Sequence, residues 1–154
     1  MKHKETIAVI GAVSEEGQKV LGFLLQSGQR LLLMDEAADQ LLLLHQSLSA
    51  LHPEAEIDIQ PCCREASWEA DLIILAKPQP TPEAAIQKMK EVANNKIIVC
   101  FNNNDMDLLE LLQKELPYSR VISMNMDKES KQSEFAGSHQ ASVETVAGLF
   151  TNIK

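Results

Sequence analysis

The chain is short of positive charge: across 154 residues it has 14 Lys and Arg against 22 Asp and Glu, a formal net charge of -8. Proteins that track nucleic-acid phosphates cluster Lys and Arg on one face, so this balance argues against a nucleic-acid partner. The only basic cluster, Lys2-His3-Lys4, sits at the amino terminus, where a frayed end explains it. Long apolar runs are also missing. Nothing approaches the roughly 18 residues a membrane span needs, and the stretch after Lys2 to Glu5 is too short for a secretory segment, so no membrane partner and a cytoplasmic location are expected. Cysteine is scarce: three residues, two of them adjacent at Cys62-Cys63, make no disulfide framework and have no metal-ligand spacing to His3, His45, His52 and His139. No Ser/His/Asp, Cys/His or paired-carboxylate spacing singles out a hydrolytic centre, so no catalytic residue and no metal ligand is assigned.

What is present is an alternation of strand and helix patterns. Thr6 to Ile10 is a β-branched run that breaks at Gly11-Ala12-Val13-Ser14-Glu15-Glu16-Gly17 and continues as an amphipathic helix through Val20, Leu21, Phe23, Leu24 and Leu25 to Gly28. This is the opening of a dinucleotide-binding βαβ unit. Gly11 and Gly17 fill the outer glycine places of the fingerprint, while Val13 and Ser14 stand where its middle glycine belongs. Further strands are predicted at Leu31–Met34, Glu56–Gln60 (an edge), Asp71–Ala76, Lys96–Phe101 and Arg120–Met124. Helices are predicted over 37–51, from Thr81-Pro82-Glu83 to about 93, from Asn104 or Asp105 to about 115, and over about 140–153. The run Leu41-Leu42-Leu43-Leu44 suggests burial on more than one helix face. Trp68 is expected to pack beneath a loop.

Six strands alternating with helices predict one α/β domain over 1–154, a doubly wound, mainly parallel six-stranded sheet in the order 3-2-1-4-5-6. Residues 127–139, rich in Ser, Lys and Glu, are expected to form a mobile loop. The last predicted helix carries Val143, Val146, Ala147, Leu149, Phe150 and Ile153, an apolar face that predicts a homodimer.

At Gly11-Ala12 through Gly17, Asp35, Asp71 to Ala76 and Arg120 to Met124, the sequence resembles the NAD(P)-binding Rossmann domain of the pyrroline-5-carboxylate reductase and coenzyme F420-dependent NADP reductase group, without that group's carboxyl-terminal domain. The resemblance covers residues 5 to about 126. It implies that the backbone of Ala12 to Glu16 faces a pyrophosphate, with Gly11, Ala12, Val13, Ser14, Glu15 and Gly17 as the cofactor-binding positions of this loop. Asp35 would face the adenosine ribose, and Ala76, Lys77 and Pro78 the nicotinamide-side ribose. Each position also has a plainer explanation. Asp35 can cap the next helix, Lys77 can be a solvated loop lysine, and Asn102, in Asn102-Asn103-Asn104-Asp105, can serve turn chemistry instead of a ribose or amide.

Charge orders the cofactors. Asp35 and Glu36 in tandem, with no Arg after them, favour NAD over NADP, because a carboxylate accepts from the ribose 2′-OH and repels a 2′-phosphate. Glu15 and Glu16 suit the helix dipole but sit where a pyrophosphate would dock. Two readings therefore stand. One is a small NAD(P)-binding protein of oxidoreductase ancestry, whose hydride transfer needs a partner chain or dimer to complete the site. The other is a non-catalytic interaction or regulatory protein with a degenerate nucleotide site and no cofactor. An S-adenosylmethionine-dependent methyltransferase would need a more glycine-rich first loop.

Overall fold

The computed structural model describes residues 5–25, 28–60, 63–76, 82–90, 92, 96–101, 106–116, 119–126 and 133–137. Strands β1 (Thr6–Ile10), β2 (Arg30–Met34), β3 (Ile57–Ile59), β4 (Leu72–Leu75), β5 (Ile97–Phe101) and β6 (Arg120–Met126) alternate with helices. These are α1 (Glu15–Leu24), α2 (Ala38–Leu51), α3 (Cys63–Glu69), α4 (Pro82–Met89) and α5 (Met106–Glu115). The six strands are parallel and lie in the order β3-β2-β1-β4-β5-β6, as the alternation predicts.

Unbroken aliphatic runs form the middle of the sheet because both of its faces are covered. Alternate side chains of each strand enter separate cores. Ile7, Val9, Leu31, Leu33, Leu72 and Ile74 pack with Val20, Leu21 and Leu24 of α1 and Leu41 of α2. Ala8, Ile10, Leu32, Ile73, Leu75 and Ile98 pack with Ala66 of α3, Ile86 and Met89 of α4 and Leu112 of α5. The domain is thus three layers, and the period-two split of the strands sets which helices lie on which side.

A seventh strand, β7 (Ser133–Gly137), adds to β6 in antiparallel fashion, with Ile122 opposite Gly137 and Met126 opposite Ser133. It falls inside 127–139, the segment expected to be a loop. Ser-Glu-Phe-Ala-Gly is a weak strand former by itself; the seven-residue outer edge of β6 supplies the backbone partners that its composition does not announce. Two smaller expectations also change. Trp68 lies on α3 and is 68% exposed, not under a loop, and in α2 only Leu41 is buried while Leu42 and Leu43 are 50% and 65% exposed. The predicted last helix lies outside the described residues.

The amino-terminal ends of the strands are pinned by ionic groups. Lys96, just before β5, donates from Nζ to the carbonyls of Ser67, Trp68 and Ala70, all within 2.6 Å, and so caps the carboxyl end of α3. Partial burial lowers its pKa below the ordinary lysine value, against an opposing pull from the Asp71 carboxylate. Asp71 Oδ2 accepts from the Thr6 amide at 3.0 Å, which ties β4 to β1. Replacing Lys96 with Met keeps the stem but leaves three carbonyls without their cation. Chemical denaturation is expected to show a loss of about 1–3 kcal/mol.

Lys90, after α4, donates to Glu115 Oε2 at 2.9 Å at the end of α5. That hydrogen bond, and then the Lys90 charge, hold the Glu115 carboxyl below its ordinary pKa. A carboxylate with a depressed folded pKa stabilises the protein above its ordinary value, and the contribution disappears as pH falls through the folded one. The stability difference between wild type and Lys90→Met is therefore expected at about pH 7 and to shrink at about pH 3, measured by urea midpoints.

Candidate functional site

Strands β1, β2 and β4 end side by side, with Ile10 opposite Met34 on one flank and Leu75 on the other. After β1 the chain builds toward β2 and β3, then returns to place β4 on the opposite side, so the strand order reverses between β1 and β4. In open α/β sheets ligands bind outside the carboxyl ends of the strands at this point. The loop from Gly11 to Ser14 crosses it.

Gly11 has φ of 83°, a left-handed conformation that favours glycine. Its amide and that of Ala12 both donate to Met34 O, at 2.8 and 3.1 Å, which draws the loop toward the end of β2. A Cβ on Gly17 would lie 2.3 Å from Gly11 O and 2.8 Å from Ala12 O. Helix α1 therefore approaches the strand end as closely as only a glycine allows, which is the role of the fingerprint's last glycine. Ala76, after β4, donates its amide to Ile10 O at 2.9 Å and is buried against the same strand end.

The sequence placed Gly11, Ala12, Val13, Ser14, Glu15, Gly17, Asp35 and Ala76 in one site, and the structure brings these together. Lys77, Pro78 and Asn102 lie outside the described residues. Asp35 is only 8% exposed and spans the site: Oδ2 accepts from the Val13 amide and Oδ1 from the Ala37 amide, both at 2.9 Å. The helix cap expected of it is an i to i+2 turn bond to the residue before α2, and the bond to Val13 is a second, long-range role.

Ser14 has a function that its place in the fingerprint hid. It is the N-cap of α1, accepting from the Gly17 amide at 3.0 Å while its hydroxyl donates to Gly11 O at 2.6 Å. A serine directly ahead of Glu15-Glu16 is the sequence signal for such a cap. The Ser14 amide also donates to Gly11 O, at 3.0 Å, and Gln18 Nε2 donates to Val13 O at 2.7 Å. Gly11 to Gly17 is one residue longer than the corresponding step in G-x-G-x-x-G, and the added length closes into this small turn. Glu15 is exposed and its carboxylate pairs with Lys19 one turn along α1 at 3.4 Å, while Glu16 is half-buried.

The amides of Gly11, Ala12, Val13, Ser14 and Gly17 thus already have acceptors within the protein. Among the described residues no group of His, Cys, Asp and Glu is placed to hold a metal ion, and no helix is long and apolar enough to cross a membrane.

The family described as Ketopantoate reductase PanE/ApbA matches residues 7–152. Among solved structures, an imine reductase from Bacillus cereus superposes with a TM-score of 0.70 at 16% identity, over 96% of this chain and 52% of that one. A protein assigned as an F420-dependent NADP reductase, from Arthrobacter, gives 0.67 at 18% identity, over 96% and 80%. An imine reductase from Myxococcus stipitatus in complex with NADP+ gives 0.69 at 15% identity, over 94% and 52%. The chain spans about half the length of these imine reductases. At such identities the likeness is one of fold. No curated protein matches the sequence.

Proposed function

The chain belongs to the ketopantoate reductase PanE/ApbA family, and from that premise we propose that it is a nicotinamide-dinucleotide-binding domain of oxidoreductase ancestry. The observation that carries this reading is the Gly11 to Gly17 loop at the point where the strand order reverses: Gly11 has φ of 83° and Gly17 has no room for a Cβ beside Gly11 O, which are the tight turn and the close helix–strand packing that the dinucleotide-binding fingerprint asks of its outer glycines. When bound, the cofactor would supply the hydride chemistry. This chain's part would be to hold it: Gly11 to Gly17 along the pyrophosphate, Asp35 at the adenosine ribose, Ala76, Lys77 and Pro78 at the nicotinamide-side ribose, and Asn102 at a ribose or amide. A partner chain or a second copy would complete the substrate side.

NAD is the favoured cofactor. The Asp35 oxygens accept from the Val13 and Ala37 amides at the end of β2, and a carboxylate in that place accepts from a ribose 2′-OH and repels a 2′-phosphate. A pyrophosphate oxygen can take the Val13 amide only in exchange for the Asp35 carboxylate, so binding is expected to be weaker than in a three-glycine loop.

That exchange favours a second reading, a non-catalytic interaction or regulatory protein that retains the fold and has a closed nucleotide loop. Thermal-shift titration with NAD+, NADH, NADP+ and NADPH separates the two. A ligand at about 100 times its dissociation constant adds roughly 2.7 kcal/mol, worth about 5–10 °C in a domain of this size, and the second reading expects no shift with any of them. Glu16→Gln is expected to tighten binding more than Glu15→Gln, most visibly at low salt, because Lys19 already offsets the Glu15 charge. Equal effects of the two substitutions would place both carboxylates away from the phosphates.

A further inference from the structure

The ionic groups at the amino-terminal ends of the strands also line a cavity of about 360 Å³, at the other end of β1 from the Gly11 loop. That is at the small end of the usual range for ligand pockets, about 300–1,000 Å³. Glu5, Asp71, Lys96 and Arg120 come from the feet of β1, β4, β5 and β6, and Trp68 and Glu69 from the end of α3. Three of these side chains are already committed. Lys96 has its three N–H groups on the carbonyls of Ser67, Trp68 and Ala70, Asp71 Oδ2 holds the Thr6 amide, and Glu69 pairs with Arg30 at 3.6 Å. Two charged groups are left over. Among the described residues neither the Glu5 carboxylate nor the Arg120 guanidinium has a hydrogen bond or an ion pair. The fold does not bring them to each other, since three strand spacings, roughly 14 Å, separate β1 from β6. Trp68, 68% exposed, adds an apolar ring to the same cavity.

We propose that this cavity binds a free α-amino acid with an apolar side chain, its ammonium at Glu5 and Asp71 Oδ1, its carboxylate on Arg120 and its side chain against Trp68. The arrangement of charge chooses the ligand. A phosphate or other pure anion would find one guanidinium with donors to spare and the carboxylates of Glu5, Glu69 and Asp71 around it. A simple cation would be opposed by Arg120 and Lys96. A zwitterion satisfies both ends, and the planar fork of Arg120 matches a carboxylate in shape. The indole then covers the apolar side chain. This site is separate from the dinucleotide crevice and does not depend on it: the five residues of β1, roughly 16 Å, lie between the two.

Trp68 is the chain's single tryptophan, so its fluorescence reports on this cavity. Titrating the full chain with L-phenylalanine is expected to change that emission saturably, with a Kd of about 0.1–1 mM because the charged contacts are open to solvent. Raised salt is expected to weaken the binding. L-Phenylalaninamide keeps only the ammonium and hydrocinnamate only the carboxylate, and each is expected to bind about tenfold more weakly or worse. Arg120→Gln and Glu5→Gln are each expected to weaken L-phenylalanine by about tenfold with unchanged circular dichroism, since neither side chain holds another described part of the protein. Emission that does not respond saturably to L-phenylalanine, a one-ended analogue that binds as tightly, or wild-type affinity in either substituted protein would each overturn the proposal.

Discussion

Replacing Gly17 with Ala is expected to lower stability by about 3 kcal/mol or more, equivalent to a fall in Tm of about 6–12 °C. The added Cβ would meet Gly11 O at 2.3 Å, Ala12 O at 2.8 Å and Ala12 C at 2.9 Å. All three are backbone atoms, and the Gly11 and Ala12 amides are themselves held by Met34 O, so neither side can yield without unseating the loop from β2. Gly22 is the internal control. It lies in the same helix with nothing within 4 Å of its added Cβ, and Gly22→Ala is expected to raise stability by about 0.5–1 kcal/mol through helix propensity. Opposite signs for one chemical change, five positions apart, would show that contact at Gly17 and not backbone entropy decides the result. Thermal or urea unfolding of the two variants measures it. A Gly17→Ala protein as stable as wild type would mean that α1 does not start against the strand end.

Asp35→Ala has the next largest expected effect, and it acts on stability and ligand together. The substitution strips the acceptor from the Val13 and Ala37 amides, a loss of about 2–4 kcal/mol because both donors sit in partly buried surroundings. The same change removes the charge that opposes a 2′-phosphate and frees the Val13 amide for an anion. Binding of NADP(H) is therefore expected to tighten by about tenfold or more while NAD(H) gains less, since it also forfeits the ribose hydrogen bonds. The preference between cofactors should narrow. Loss of stability with no change in the preference would leave Asp35 as a loop clamp alone.

The positions of β1, β2, β4 and β5 were legible because strands buried on both faces write themselves as unbroken aliphatic runs such as Leu72 to Leu75. The Leu41 to Leu44 run misled for a related reason: four leucines in a row carry no period, so the sequence could not say that Leu43 turns to solvent while Leu41 does not. β7 was hidden because its pairing is decided by the free edge of β6 and not by its own Ser-Glu-Phe-Ala-Gly composition. In the site, local chemistry was readable and long-range chemistry was not. Gly11, Gly17 and the turn bond of Asp35 follow from neighbours in sequence. The hydrogen bond from Val13 to Asp35 joins residues 22 positions apart, and the Lys96 cap on α3 reaches across 26 to 29 positions. Only the folded sheet puts such partners together.

Calorimetric titration of the wild-type chain with NADH and NADPH in parallel, at low and moderate salt, tests most directly whether the loop after β1 is a working dinucleotide cradle. Saturable binding of both is expected, with NADH the tighter by about tenfold, and with the NADPH affinity improving more as salt screens Asp35 from the 2′-phosphate. No heat with either dinucleotide, repeated with the Glu16→Gln protein, would contradict the cradle and leave the closed loop as a relic of the fold.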